Sequence, residues 1–226
     1  MLEEAHLRSC DRIIDVGCGT GTLLSWAVSR SPGIKATGVD ADRQALHRAR
    51  RKMPPPNVVN LVVASCYRLP FADDSFDVAF CSLLLHHLDD VEKEATLAEI
   101  HRVLAPQGRL LLADYLGIDS SLAKLRFLVV RCLDGWRRTR FALYGHPAVL
   151  LRRAGFVDIR ETRSWSTPLG PLRCYRATNT RLRRQSCDRA VDDRQHGGGT
   201  PCRPYRFLLP AETAQHPGPW RRFTDQ

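Results

Sequence analysis

Apolar runs typical of strands alternate with amphipathic patterns typical of helices along the first half of the chain. Continuous apolar runs are typical of parallel strands that are buried on both faces of a sheet. The expected strands are Ile13–Val16, Ile34–Asp40, Asn60–Ala64, a fourth that ends at Cys81, and Arg109–Asp114. The expected helices are Thr20–Arg30, Arg43–Lys52 and Val91–Leu104. This alternation predicts right-handed βαβ units and a doubly wound α/β fold.

A glycine-rich turn separates the first expected strand from the first expected helix. Gly17, Gly19 and Gly21 are spaced as GxGxG, and they let the backbone approach a nucleotide-like ligand. The fingerprint of dinucleotide-binding domains is GxGxxG, so the third glycine comes one residue early. Asp15 suits a ligand that carries an amino group better than one that carries phosphates, because like charges repel.

A second acidic residue, Asp40, ends the next expected strand about twenty residues after the glycines, as a ribose-binding carboxylate would. Its oxygens could accept hydrogen bonds from both ribose hydroxyls. An alternative is that Asp40 caps the helix that begins near Asp42, and the two roles are compatible.

Residues from about 11 to 116 resemble the class I S-adenosylmethionine-dependent methyltransferases, and most closely the small-molecule methyltransferase type 11 subgroup, which includes enzymes of ubiquinone and menaquinone biosynthesis. Five motifs occur in the family's order: DVGCGTG (15–21), GVDAD (38–42), RLPFADDSFDVAF (68–80), LLLHHLDD (83–90) and EIHRVLAPQGRLLLADY (99–115). The resemblance implies a Rossmann-like, mostly parallel seven-stranded sheet with an antiparallel C-terminal hairpin, for which Phe156–Arg163 and Leu172–Ala177 are the expected strands.

The resemblance also implies a role in binding S-adenosylmethionine for each motif. Asp15, Gly17 and Gly19 would hold the methionine part, and Asp40 would bind the ribose. Ala41 would lie beside the adenine, Ser65 and Cys66 would face its amino group, and Ser82 would line the methionine side. Family members usually carry an acid where this chain has Ser65. A neutral hydroxyl makes a weaker hydrogen bond than a carboxylate, so we expect lower cofactor affinity than is usual in the family.

The implied reaction is a direct displacement, in which the protein aligns a nucleophile behind the methyl group. A general base is needed only for a weakly acidic nucleophile. His87 is the candidate base, and Asp114, Tyr115 and His146 are expected at the same end of the sheet. The alternative is that His86 and His87 bond only to backbone in a loop, and that Asp114 fixes the following turn. No metal ligand set is expected.

The domain is expected to span residues 1–178, with a substrate-side insert over 115–145 and a disordered tail over 179–226. A helix over Ser120–Leu133 and another over His146–Ala154 are expected in this half. The aromatic residues of the insert (Trp136, Phe141 and Tyr144) would pack in a small cap or stack on a flat substrate. Only about eleven residues precede the first strand, so the N-terminal lid helices usual in the family are not expected. If the chain is a truncated or frame-shifted form of a longer enzyme, both the short N-terminal segment and the tail would be explained.

The chain of 226 residues has a net charge of +10, and the excess of basic residues lies beyond residue 115. This basic part of the chain could bind an acidic partner or nucleic acid. Its arginines are scattered rather than clustered, so no stable nucleic-acid partner is expected. The Asn/Asp-Pro-Pro-aromatic signature of amino-group DNA methylation is absent, because the fourth strand continues as Cys81–Leu84. The expected function is methylation of a small-molecule acceptor. The alternatives are a non-catalytic methyltransferase-like binding domain and an RNA methyltransferase.

The eight cysteines form no CxxC pair, so we expect unpaired thiols in a reducing compartment. The sequence shows no leader-like segment and no apolar span long enough for a transmembrane helix, which predicts a cytoplasmic location. Residues 122–133 could still contact a membrane surface through a basic face. The sequence does not determine the oligomeric state.

Overall fold

The structure is a computed structural model that describes residues 1–53, 58–115, 147–167 and 170–180. Its strands are β1 (Arg12–Val16), β2 (Lys35–Asp40), β3 (Val59–Val63), β4 (Phe76–Ser82), β5 (Leu104–Asp114), β6 (Phe156–Thr167) and β7 (Gly170–Asn179). Its helices are α1 (Leu2–Ala5), α2 (Thr22–Arg30), α3 (Arg43–Arg50), α4 (Asp90–Val103) and α5 (Pro147–Arg153), with a 3₁₀ turn at Leu85–His87.

The strands form one sheet in the order β3-β2-β1-β4-β5-β7-β6. The pairs from β3 to β5 are parallel, whereas β7 is antiparallel to both β5 and β6. This architecture confirms the doubly wound, mostly parallel seven-stranded sheet with an antiparallel C-terminal hairpin. The strand order reverses direction between β1 and β4, and ligands of such sheets bind at the carboxyl ends of the strands there.

Two apolar cores cover the two faces of the sheet. Successive residues of a strand point to opposite faces, and Ile13 packs in one core while Ile14 packs in the other. The core with Ile13 includes Leu24 and Ala27 of α2, and the core with Ile14 includes Leu97 of α4. Apolar residues on both faces of β1 explain its continuous apolar sequence.

Several bounds differ from the sequence-based expectation. The fifth strand begins at Leu104 rather than Arg109, because Leu104 already pairs with Phe76. A register shift, within which Gln107 has a φ of 64°, separates this pair from that of Val78 with Arg109. Asn179, expected in the tail, is the last residue of β7. Its side-chain amide donates to the carbonyl oxygens of His101 and Leu104 at 3.1 and 2.7 Å. Asn179 therefore belongs to the sheet.

The N-terminal segment and one cysteine also depart from expectation. Residues 2–5 form the short helix α1, which Arg109 ties to the sheet by donating to the carbonyl oxygen of Ala5 at 3.0 Å. Cys10 is disulfide-bonded, so the expectation of unpaired thiols is wrong at this position. Cys18, Cys66, Cys81 and Cys174 are free thiols.

Some expectations concern residues outside those described. They are the helix over 120–133, the insert aromatics, His146 and the tail from residue 181 onward. In the part of the chain that the structure describes, no helix is long and apolar enough to cross a membrane.

Candidate functional site

The turn after β1 wraps around the end of β2. The backbone N–H groups of Gly17 and Cys18 both donate to the carbonyl oxygen of Val39, at 2.8 and 3.0 Å. Gly17, Gly19 and Gly21 have φ angles of 73°, 53° and 72°, a region that L-residues with a side chain rarely adopt. The glycine pattern in the sequence is thus required by the conformation of the loop.

The two glycines nearest β1 face different surroundings. A Cβ at Gly17 would lie 2.9 Å from Cδ1 of Leu84, so this position packs against the segment after β4. A Cβ at Gly19 would meet no atom within 4 Å. Open space next to the half-buried backbone of Gly19 is what a ligand that binds to this loop needs.

Asp15 is a buried carboxyl group in the middle of the sheet. Its side chain is 1% exposed, and its Oδ1 has no hydrogen-bond partner among the described residues. Burial, and then the negative charge of Asp40, raise the pKa of Asp15 from 3.8 to about 7. An orphaned, buried carboxyl oxygen costs free energy, and a cationic ligand group would satisfy it.

Asp40 connects the glycine loop with the start of α3. One carboxylate oxygen accepts from the backbone N–H of Gly19 and the other from that of Asp42, both at 2.8 Å. The cap of α3 is Asp42, which accepts from the N–H of Gln44 at 2.7 Å. The alternative that Asp40 itself caps this helix is therefore wrong.

The remaining residues predicted for the cofactor lie along the same edge of the sheet. Ala41 is exposed directly after β2, and Ser65 and Cys66 are half-buried just beyond β3. The thiol of Cys66 accepts a hydrogen bond from Thr96 at 3.4 Å, and burial raises its pKa. Ser82 is the last residue of β4 and is half-buried. The structure therefore brings all of the predicted binding residues to the carboxyl ends of β1 to β4.

The histidine pair after β4 differs from the expectation. His87, the candidate base, is exposed, whereas His86 is buried and its Nδ1 lies 2.6 Å from Oδ1 of Asp114. Asp114 is completely buried at the end of β5. In the sequence, this pair is visible only as a histidine after one apolar strand and an acidic residue at the end of the following strand. The parallel pairing of β4 with β5 brings the two residues together.

A strained turn brings His86 to Asp114. Leu83 has a φ of 53°, and its N–H donates to the carbonyl oxygen of Ala113 at 2.8 Å. For a non-glycine residue this conformation costs roughly 1–2 kcal/mol. The chain reverses at Leu83 and places the 3₁₀ turn against the end of β5. This conformation positions His86 next to Asp114.

The residues of this edge fit S-adenosylmethionine, the cofactor that the motifs imply. The orphaned oxygen of Asp15 provides a buried acceptor for an ammonium group. The space beside Gly19 allows a ligand to lie against the backbone. The buried carboxyl group of Asp15 beside this loop disfavours a pyrophosphate, because like charges repel.

Comparison with known proteins gives an independent view of the chain. Residues 14–112 match a family model described as a methyltransferase domain. A malonyl-[acyl-carrier protein] O-methyltransferase of Halorhodospira halophila is 32% identical over 147 residues, which cover 65% of this chain and 48% of the relative. A demethylmenaquinone methyltransferase of Symbiobacterium thermophilum is 36% identical over 110 residues, which cover 47% and 43%. The chain spans about half the length of these relatives.

Solved structures have the same fold. The YcgJ protein of Bacillus subtilis has a TM-score of 0.67 at 19% identity, covering 80% of this chain and 97% of that one. An S-adenosylmethionine-dependent methyltransferase of Methanosarcina mazei has a TM-score of 0.64 at 22% identity, covering 79% and 96%. At such identities the likeness concerns the fold alone.

Proposed function

We propose that this chain, which belongs to the class I S-adenosylmethionine-dependent methyltransferases, transfers a methyl group from that cofactor to a small-molecule acceptor. The observation that carries the proposal is the orphaned carboxyl oxygen of Asp15, which closely precedes a glycine loop with open space at Gly19. Such a pair of features suits a ligand with a cationic amino acid part. The family match over residues 14–112 supports the same cofactor.

Each residue of the edge has a role in this proposal. Asp15 binds the amino group of the cofactor, and the backbone of Gly17 and Gly19 lies against its methionine part. Asp40 accepts from the ribose hydroxyls with the lone pairs that its two backbone bonds leave over. Ala41, Ser65 and Cys66 surround the adenine, and Ser82 lines the methionine side.

Bound S-adenosylmethionine supplies a methyl group that the positive sulfonium makes electrophilic. The protein therefore needs to orient the two reactants and to exclude water rather than to activate the methyl group. Residues at the ends of β1 and β4 orient the cofactor. Residues at the ends of β4 and β5 remain available to bind the acceptor.

Two named relatives support a small acceptor. One is named for a malonyl group carried on a protein and the other for demethylmenaquinone. Their names apply to longer proteins, so the acceptor of this chain is proposed by class only.

Calorimetric titration with S-adenosylmethionine and S-adenosylhomocysteine tests the cofactor proposal, with Asp15→Asn as the diagnostic variant. We expect micromolar binding by the wild type and at least tenfold weaker binding by the variant, because the amide carries no charge for the ammonium group. Asp74→Asn is the matched control, since Asp74 is exposed and its φ of 59° suits asparagine. Absence of binding by the folded wild type would contradict the proposal and favour a non-catalytic domain.

A further inference from the structure

The carboxylate of Asp114 is surrounded by hydrogen-bond donors. Its Oδ2 accepts from the backbone N–H groups of Leu85 and His86 at 2.7 and 3.3 Å. Its Oδ1 accepts from the N–H of Tyr115 at 2.7 Å and lies 2.6 Å from Nδ1 of His86. The three backbone donors need both oxygens of Asp114 as acceptors, which is the hydrogen-bonding pattern of a carboxylate.

This acceptor pattern determines which nitrogen of His86 carries the proton. A carboxylate can only accept, so Nδ1 of His86 must donate across the 2.6 Å contact. In the neutral ring the lone pair is then on Nε2. Nε2 has no hydrogen bond to any described residue, and 9% of the His86 side chain is exposed. The ring is therefore oriented as a base with its acceptor nitrogen still available.

The pair lies on the acceptor side of the proposed cofactor site. Asp15 is in β1 and Asp114 ends β5, and β4 lies between these two strands. Asp15 pairs with Phe80 of β4, and Ala113, the neighbour of Asp114, pairs with Ser82, so the two acidic residues flank the same short stretch of that strand. His86 follows four residues after Ser82, which lines the cofactor in the proposal above.

We propose that His86 is the catalytic residue that accepts the proton of the acceptor, that Asp114 is its positioning residue, and that the acceptor is therefore a hydroxyl compound. This inference rests on the proposed methyl transfer. A hydroxyl group is a poor nucleophile until its proton is removed, whereas an ionised thiol needs no base.

The proton and electrons balance in one step. The hydroxyl proton of the acceptor moves to Nε2 of His86, and the oxygen lone pair forms the bond to the methyl carbon. The bond from that carbon to sulfur breaks, and its electron pair stays on sulfur, which neutralises the sulfonium. The imidazolium, paired with the carboxylate of Asp114, then releases the proton to water.

Nitrogen-15 NMR of histidine-labelled protein tests the ring without an acceptor. We expect the wild type to show the Nδ1–H tautomer of His86 in the presence of S-adenosylhomocysteine, identified by its absence in His86→Gln. In Asp114→Asn we expect loss of that preference. An Nε2–H tautomer in the wild type overturns the proposal, and this measurement does not require the Asp114 variant to fold.

Methyl-transfer assays with defined acceptor compounds test whether His86 acts as the base. Catechol, 1-naphthol and 4-hydroxybenzoate serve as hydroxyl acceptors, and thiophenol serves as an acceptor that is largely ionised without a base. In His86→Gln we expect roughly a 100-fold loss or more with hydroxyl probes and little loss with thiophenol. A merely structural role of His86 would lower both rates together and would overturn the proposal.

Two further results would also overturn it. One is a larger loss of hydroxyl methylation in His87→Gln than in His86→Gln. The other is no turnover of any hydroxyl probe by a wild type that binds the cofactor. Methyl transfer to thiophenol separates these results from a failure of the proposed methyl transfer, because that failure removes transfer to thiophenol as well.

Discussion

The carboxylate of Asp40 accepts a hydrogen bond from the backbone N–H of Gly19 over 2.8 Å, so the end of β2 holds the loop that follows β1. The interaction joins two of the motifs that are separated in sequence. It gives Asp40 a structural role in the loop in addition to the ribose contact proposed for it. A substitution of Asp40 therefore affects both the glycine loop and the proposed ribose contact.

Replacement of Asp40 is therefore expected to weaken cofactor binding more than the loss of a ribose contact alone would. For Asp40→Ala we expect at least a 100-fold rise in the Kd for S-adenosylhomocysteine, measured by calorimetry, because two charge-assisted bonds and the loop restraint are lost together. Asp42→Ala is the control. It removes the cap of α3, which costs about 1 kcal/mol of stability, and is expected to leave the Kd within about twofold.

Gly17 and Gly19 are expected to respond differently to alanine. In Gly17→Ala the new Cβ would press on Leu84, and the φ of 73° is unfavourable, so we expect a loss of roughly 2 kcal/mol in the free energy of unfolding. In Gly19→Ala no atom is displaced, and we expect a loss of about 1 kcal/mol from backbone strain.

Cofactor affinity should give the clearest distinction between the two glycine variants. The methyl group of Gly19→Ala occupies the open space beside the loop, so we expect at least a tenfold weaker binding at conditions where the protein is fully folded. Urea denaturation and calorimetry on both variants check the pair of expectations. Unchanged affinity in Gly19→Ala would mean that the cofactor does not lie against this backbone.

The raised pKa of Asp15 predicts how stability depends on pH in the cofactor-free protein. Because the folded state holds this proton more tightly than the unfolded state, the stability contribution of Asp15 falls as pH rises from about 4 to about 7, and is then constant. For Asp15→Asn, which does not titrate, we expect a gain on the order of 4 kcal/mol at pH 8 that vanishes near pH 4.

Denaturation curves of the wild type and Asp15→Asn between pH 4 and pH 8 measure this difference. Parallel pH dependence in the two proteins would show that Asp15 is ionised at little cost. The same variant is expected to lose cofactor affinity while it gains stability. A general disruption of the fold cannot produce that combination.

Local patterns made the fold predictable from the sequence, and also the placement of the candidate binding residues along one edge of the sheet. Ile13–Val16, the glycines and Asp40 act through neighbours in the chain or through the regular pairing of parallel strands. The contact of His86 with Asp114 spans 28 residues and depends on the turn at Leu83. A leucine does not indicate a turn with positive φ, so the sequence could not predict this contact. Asn179 is similar, because a polar residue at the end of the last strand gives no sign that it bonds carbonyl groups of α4 and β5.

Arg102 clamps the loop between β3 and β4 onto α4. Its guanidinium donates to both carboxylate oxygens of Glu99 at 2.7 and 2.8 Å, and to the carbonyl oxygens of Leu69 and Phe71 at 3.0 and 2.7 Å. Glu99 also accepts from the N–H of Leu69 at 2.7 Å. Burial alone would raise the pKa of Glu99, but the hydrogen bonds from Arg102 and Leu69 lower it overall.

Removal of this clamp is expected to cost stability. For Arg102→Ala we expect a loss of about 2 kcal/mol in urea denaturation, because two buried carbonyl groups and a carboxylate lose their donor. Arg102→Lys should recover little, since an ammonium group cannot reproduce the planar fork. Arg153→Ala is the matched control, because its pair with Glu94 is 3.3 Å long and exposed on both sides, and we expect less than about 0.5 kcal/mol. Equal losses in the two alanine variants would contradict the clamp.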